Sequence, residues 1–513
     1  MRRTRSGFAL VISTLALCAA ARADENPPVK DAPEAQKVEP APEAPKPPPP
    51  ATSPSDDDTH ADDASETRRD RQVGSPPPPA DTGTGFSFGS YGRIGIGTDA
   101  RGHEGFATNV VSHGSRLEAP PYIELDLYYG GKVGNGRWRA VIAPAFGGDL
   151  FHYTGDFASR FALRNGYIET EDLGVKGMRI WAGSRMYRGD DIYLFDYWPL
   201  DNLNTVGGGL GWRFGKNDIA LQFGMNRQDN PFQYQTQPQP SHGLGPAIPA
   251  VVVDRPRFVA SAKYIRYLEG RGTSGLKLSA YAELHYVPEG LRPVRDQSRN
   301  ETLPEDWGYV LGAQIGGWLR PYTFVNLWFR YAGGLAVFGD LGLPSSSPPR
   351  SVANARELVG ALSLNYETSR IGVMAGAFLR SYRDPDPGAL SVRDYVEGAL
   401  SVRPQIYLLK WLHVATELSY QQRSYAGFDP YLDRRLNPRV FKWSVFPVVA
   451  PLGTGTYSRP MIYAIYTLSV LNQDARDALW DPTDVRYGGA TQGNLVTHYV
   501  GLGAEWWFQS SYR

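Results

Sequence analysis

The chain has 513 residues, with 53 Lys and Arg against 53 Asp and Glu. A net charge of zero excludes the basic face expected of a nucleic-acid binder. Its one cysteine, Cys18, sits in the N-terminal apolar run, which leaves the remainder without a thiol for a disulfide, a metal or nucleophilic catalysis. Fifty-six Gly, 30 Tyr, 21 Phe and 12 Trp beside a mean hydropathy of −0.37 fit strands that hide every second residue from lipid or water.

Residues 1–23 carry Arg2, Arg3 and Arg5, then an apolar run, then Ala21-Arg22-Ala23. That three-part layout predicts a cleaved secretory signal. The run is shorter than the ~20 apolar residues a membrane-crossing helix needs, and no later stretch is long enough, so a membrane form of this chain has to be a barrel. Residues 24–84 hold 15 of the 41 prolines, 14 acidic and 6 basic residues and no aromatic. Such a segment has no core to build and reads as a disordered periplasmic linker. In polyproline form, at ~3.1 Å per residue, roughly 60 residues reach up to ~190 Å, so a cell-wall or periplasmic partner is a possible use.

From 85 to 513 the chain reads as one antiparallel transmembrane β-barrel. Alternating segments bounded by Gly, Pro, Asn and Asp are expected near 86–97, 119–131, 137–146, 160–172, 178–187, 207–214, 218–226, 256–264, 275–287, 307–318, 321–334, 357–366, 370–381, 394–408, 410–423, 437–449, 456–470 and 496–508. In the second, Tyr122, Glu124, Asp126 and Tyr128 share one face and Ile123, Leu125 and Leu127 the other; in the fifteenth, His413 and Glu417 oppose Leu412 and Leu418. One face suits lipid, the other water. After the fifth segment, Arg188, Asp190, Asp191, Tyr193, Phe195, Asp196, Tyr197 and Trp198 crowd into a single loop, a composition suited to filling a pore.

Catalytic readings are weaker. His113-Gly114-Ser115 has the His-x-Ser spacing of outer-membrane phospholipases, but Arg116-Leu117 follows and the segment precedes a strand. Asp190-Asp191 lacks a His-Asp dyad to make it a protease pair, and Asp384-Pro385-Asp386-Pro387-Gly388 lacks the twelve-residue layout of a calcium loop. No enzyme activity, metal or cofactor is expected.

Phe88-Gly89-Ser90-Tyr91-Gly92-Arg93 is similar to the first strand of the maltoporins, the carbohydrate-selective porins. Arg116-Leu117, Tyr122-Ile123-Glu124-Leu125 and Phe161-Ala162-Leu163-Arg164-Asn165 follow in the family's order. Trp181-Ala182-Gly183-Ser184-Arg185-Met186-Tyr187 matches the fifth strand and is the most specific, and Asp191 and Asp196 keep the family's spacing ahead of Trp198. Tyr457-Ser458-Arg459-Pro460 and Gly503-Ala504-Glu505-Trp506-Trp507-Phe508 resemble the family's late motifs.

The resemblance implies an 18-stranded, homotrimeric outer-membrane sugar channel with a constriction loop after strand 5, embedded in lipid and passing maltose, maltodextrins or related oligosaccharides. It implies an aromatic lane of Tyr91, Tyr122, Tyr309, Tyr457 and Trp507, on which the CH-rich faces of pyranoses slide. It also implies a polar track and constriction of Arg93, Arg116, Glu124, Arg164, Asp191, Asp196 and Trp198, trading hydrogen bonds with hydroxyls. Two positions depart from the family: Trp198 stands where a tyrosine narrows the channel, and Gly189 where a track arginine is usual, with Arg188 beside it. The rival function is a general or ion-selective porin without a sugar lane.

Overall fold

The computed structural model describes residues 84–148, 160–230, 232–239, 248–270, 272–293, 300–320, 322–340, 342, 350–386, 394–429, 432–479 and 495–510. The expected signal, and the expected linker up to residue 83, lie outside these.

The described strands are β1 (Gly85–Thr98), β2 (Tyr122–Val133), β3 (Gly136–Gly147), β4 (Arg160–Glu171), β5 (Met178–Arg188), β6 (Asn202–Phe214), β7 (Asn217–Asn226), β8 (Tyr234–Gln239), β9 (Ile248–Asp254), β10 (Arg257–Glu269) and β11 (Gly275–Val287). They continue with β12 (Gly290–Pro293), β13 (Asn300–Leu303), β14 (Asp306–Arg320), β15 (Thr323–Gly334), β16 (Arg356–Glu367), β17 (Ile371–Arg383), β18 (Tyr395–Tyr407), β19 (Leu412–Tyr425), β20 (Arg439–Val449), β21 (Met461–Leu471) and β22 (Val496–Phe508).

Eighteen of them form one sheet in which each strand pairs antiparallel with the next in sequence, skipping the side hairpins β8–β9 and β12–β13. The sheet closes where β1 meets β22, Tyr91 lying opposite Trp507 and Ser90 opposite Phe508. Closure leaves no unpaired edge, which lets a sheet cross hydrocarbon without exposing backbone polar groups.

Alternation of side chains explains the two faces. In β19, His413, Ala415, Glu417 and Ser419 are buried while Leu418 and Tyr420 are exposed; Glu124 and Asp126 on β2 are buried in the same way. A wall whose exposed face is Leu, Ile, Val and Phe and whose inner face is charged is inverted relative to a water-soluble protein, and lipid is the solvent that fits it.

All 18 expected segments fall on these strands. The differences lie at ends and in additions: β6 begins at Asn202 rather than near 207, β10 runs on to Glu269, and β21 begins at Met461 because 450–460 folds as a connection. Neither side hairpin, nor the short helix Gln473–Leu479, was legible as a separate element.

Connections alternate in length. Those between β2 and β3 and between β6 and β7 are two-residue turns and that between β4 and β5 has six residues, whereas those after β1, β3, β5 and β7 are longer; in barrels of this kind the short turns face the periplasm. Gly183 in the fifth-strand motif has φ +134°, and a Cβ there would stand 2.3 Å from the Gly166 carbonyl oxygen, so β4 and β5 meet there only over a glycine.

Candidate functional site: the barrel interior

The segment 189–201, which connects β5 to β6, is largely buried. Ile192, Tyr193, Leu194 and Phe195 are buried, with a 3-10 turn at Tyr193–Phe195 closed by Asp196 at φ 52°. Aspartate tolerates that left-handed backbone better than a branched residue would. The Ile192 amide donates to the Tyr197 carbonyl at 2.7 Å, which ties the base of the loop.

Its side chains reach strands all around the ring. Arg93 Nη1 on β1 meets Asp196 Oδ2 at 2.9 Å, Lys263 on β10 meets Asp201 at 2.6 Å, and Lys277 on β11 meets Asp190 at 2.7 Å. Phe195 and Tyr197 pack on Phe378 of β17 with ring centres 5.7 and 5.4 Å apart, and the Ile192 side chain sits over Gly376, where a Cβ would come within 2.5 Å of it. This one loop thus contacts residues of β1, β10, β11 and β17.

The hub of this packing is Glu505 on β22. It accepts from Arg116 at 2.7 Å, from Arg459 at 2.9 Å and from the Tyr193 hydroxyl at 2.6 Å. A buried carboxylate holding two guanidiniums and a phenol is a charge-assisted network that fixes three connections to one point on the wall.

The β1–β2 connection, 99–121, also turns inward. The Ser115 hydroxyl donates to Glu417 at 2.6 Å, the Val110 amide to Gln421 at 3.1 Å, and the Arg116 amide to the Leu194 carbonyl at 3.2 Å. His113 stacks on Tyr197 at 3.9 Å, and burial together with the nearby Arg380 guanidinium pushes its imidazole down to about 4. Burial likewise pushes the Tyr197 phenol up to about 12. His113 and Ser115 are thus engaged with separate partners.

Outside the loop a cavity of about 910 Å³ opens. Its lining includes Arg93, Arg164, Arg188, Arg330, Arg380 and Arg423 against Asp196, Glu283 and Asp340, six cations to three carboxylates, together with Tyr122, Tyr197, Trp198, Tyr382, Tyr395 and Tyr425. Asp340 accepts the Asn204 amide at 2.6 Å, and burial raises its carboxyl to about 6.

Of the twelve expected residues, Arg93, Tyr122, Arg164, Asp196 and Trp198 line this cavity. Tyr122 donates to Glu124 at 2.7 Å, and Arg164 pairs with Glu124 at 2.8 Å. Trp198 is buried under Arg188, whose guanidinium lies 3.9 Å above the ring, and Asp191 is buried at the start of the loop. At Gly189 a Cβ would stand 2.0 Å from Asp201 Oδ1, so an arginine there requires the Asp201 carboxylate, which is paired with Lys263, to move. On the periplasmic side, Tyr457 and Trp507 are half-buried and flank Tyr193, with ring centres 5.5 and 5.9 Å from it.

Two expectations need correcting. Tyr309 was expected in the lane, but on β14 it is exposed with Trp307 and Leu311 on the outer face, while Gly308, Val310 and Gln314 take the inner one. Tyr91 is on the inner face yet only 1% exposed: Trp198 packs on it and its oxygen accepts from Arg116 at 2.5 Å, so its ring is covered rather than offered to a sugar.

Sequence reasoning gave no role to Glu505, Arg330, Glu357, Arg380, Glu397 or Arg423. Their signal was available as parity, since each charge falls on the water-facing face of a lipid-alternating strand.

Fold and interior together define a transmembrane β-barrel with a charged, aromatic interior, the make-up of a channel. The family model described as LamB porin matches residues 86–508, and the chain belongs to that family. It is a family of outer-membrane channels rather than of enzymes, and it places the protein in the outer membrane. No curated protein matches. Among solved structures the chain is similar to Acinetobacter baumannii OccAB1 (10% identity, 82% of this chain and 96% of that one, TM-score 0.40). It is likewise similar to Pseudomonas aeruginosa OccD3 (10%, 85% and 94%, 0.40) and to the outer membrane channel DcaP of Acinetobacter baumannii (11%, 85% and 100%, 0.39).

Proposed function

We propose that the barrel conducts saccharides, maltose and maltodextrins or related oligosaccharides, past a constriction formed by 189–201. The observation that carries this reading is the set of partly exposed rings on both sides of that loop, Tyr122 above and Tyr457 and Trp507 below, with arginines and carboxylates interleaved. Aromatic faces hold the CH-rich side of a pyranose, while guanidinium donors and carboxylate acceptors match its hydroxyls. A run of weak sites of this kind lets a chain advance without trapping it. Trp198 and Asp196 narrow the passage, and the subunits assemble as a homotrimer.

The excess of arginine around the cavity favours one alternative, an anion-preferring general porin. Liposome swelling separates the two. A sugar channel admits maltose and maltotriose faster than uncharged non-sugar solutes of equal mass; a general porin ranks solutes by size alone.

A further inference from the structure

Five consecutive strands carry a row of alternating charge on the cavity wall: Arg330 on β15, Glu357 on β16, Arg380 on β17, Glu397 on β18 and Arg423 on β19. Glu357 binds Arg330 and Arg380, and Glu397 binds Arg380 at 3.5 Å and Arg423 at 2.5 Å. The two carboxylate side chains are 0% exposed, whereas the three arginine side chains are 17–21% exposed and line the cavity. The carboxylates therefore act as buried supports, and what meets the cavity is cationic. Three arginines over two glutamates leave one net positive charge.

A row of tyrosines runs beside these charges. Tyr395 lies in register with Tyr382 on one side and Tyr425 on the other. The rings of Tyr382 and Tyr395 stack at 5.4 Å, and the Arg380 and Arg423 guanidiniums lie 5.6 and 4.9 Å from the Tyr395 ring centre. Tyr395 and Tyr382 are half-buried and the two guanidiniums lie over the Tyr395 ring, so the exposed part of this pair, with the guanidiniums beside it, is a surface for a sugar that carries a carboxylate, because a planar fork of donors matches a carboxylate in bidentate fashion.

We propose that this panel is a binding site for carboxylate-bearing saccharides at the entry to the channel. The channel would then select uronic-acid oligosaccharides over neutral ones of the same length. The inference rests on the saccharide-channel reading and adds the charge class of the substrate. A pyranose packs against the exposed part of the Tyr382–Tyr395 pair while its carboxylate takes donors of Arg380 and Arg423, replacing the neutral Ser112 and Tyr425 hydroxyls that accept from them in this structure. The positive surroundings raise the local concentration of an acidic chain at the mouth, an effect that salt screens.

The test uses the full-length protein in planar bilayers, with block of single-channel current titrated by maltohexaose, by hexagalacturonate and by a hexaglutamate peptide. At low salt the expected result is half-block by hexagalacturonate at a concentration ~10-fold or more below that of maltohexaose, a gap of about one decade in affinity. That gap should shrink in 1 M salt, and hexaglutamate should block far less well. The double variant Arg380→Gln with Arg423→Gln should lose the acidic preference, the two sugars then blocking at similar concentrations. Because it strands Glu397, the charge-compensated pair Glu397→Gln with Arg423→Gln is measured beside it and should lose most of the preference. Tyr395→Leu should weaken both sugars. Equal or tighter block by maltohexaose overturns the inference and leaves the saccharide channel standing. Block by hexaglutamate as strong as by hexagalacturonate reduces the panel to a plain anion site and also overturns it. No block by either sugar removes the saccharide channel as well.

Discussion

Replacing Glu505 by Gln keeps the side chain's shape and one carbonyl acceptor but leaves Arg116 and Arg459 without the carboxylate they share. Breaking a buried charge pair from one side costs ~3–5 kcal/mol, and the water-filled interior argues for the lower end. The Tyr193 hydroxyl also loses its charged acceptor at 2.6 Å. The loop 189–201 remains tethered by Asp196 to Arg93, Asp190 to Lys277 and Asp201 to Lys263. The barrel therefore survives while the loop's docking equilibrium weakens by about 3 kcal/mol, on the order of 100-fold. Hydrogen exchange reads this directly, because local opening sets the rate at which a protected amide exchanges. The Ile192 amide, bonded to the Tyr197 carbonyl, should exchange about 100-fold faster in Glu505→Gln, while amides of β14 to β19 stay unchanged. In bilayers the variant should show noisier open-channel current. Exchange within ~3-fold of the native rate at Ile192 would refute the assignment of Glu505 as the point that holds the loop.

Trp507→Ala removes a half-buried ring beside Tyr457 and Tyr193. By analogy with base stacking at ~1–3 kcal/mol per ring, sugar block should weaken ~5–100-fold with little change in ion conductance. Tyr309→Ala, on the outer face, should leave sugar block unchanged in the same assay. Asp196→Ala should both loosen the hold of Arg93 on the loop and shift reversal potentials toward anion preference. Asp340, buried and raised to about 6, is charged above that pH and neutral below it, so anion preference should rise as pH falls through 6 and the step should vanish in Asp340→Asn. The same shift means the folded barrel binds this proton more tightly than the unfolded chain. Its contribution to stability is full below about pH 4 and is lost as pH rises through 6.

The ring of strands was legible because a period of two, repeated between turn residues, is dictated by lipid on one side and water on the other. Tyr91 opposite Trp507 followed from closure of the first strand on the last. Tyr309 failed where family likeness outweighed parity, since its own neighbours Trp307 and Leu311 already marked its face as apolar. Tyr91 failed for another reason: parity places a side chain inside but does not say what lies on top of it, and Trp198 comes from a residue more than a hundred positions away. The inward course of 99–121 and the role of Glu505 were hidden for the same cause. They depend on contacts between distant connections, such as Arg116 with Glu505, that no local pattern encodes. The row from Arg330 to Arg423 could have been found by applying parity to the middle of the chain, where the family motifs thin out.

The measurement closest to the central claim is oligosaccharide block of single-channel current in planar bilayers, native protein against Trp507→Ala. A saccharide channel gives concentration-dependent, saturating block that lengthens with chain length and weakens ~5–100-fold in the variant. Current indifferent to every oligosaccharide, or block identical in the two proteins, would contradict it.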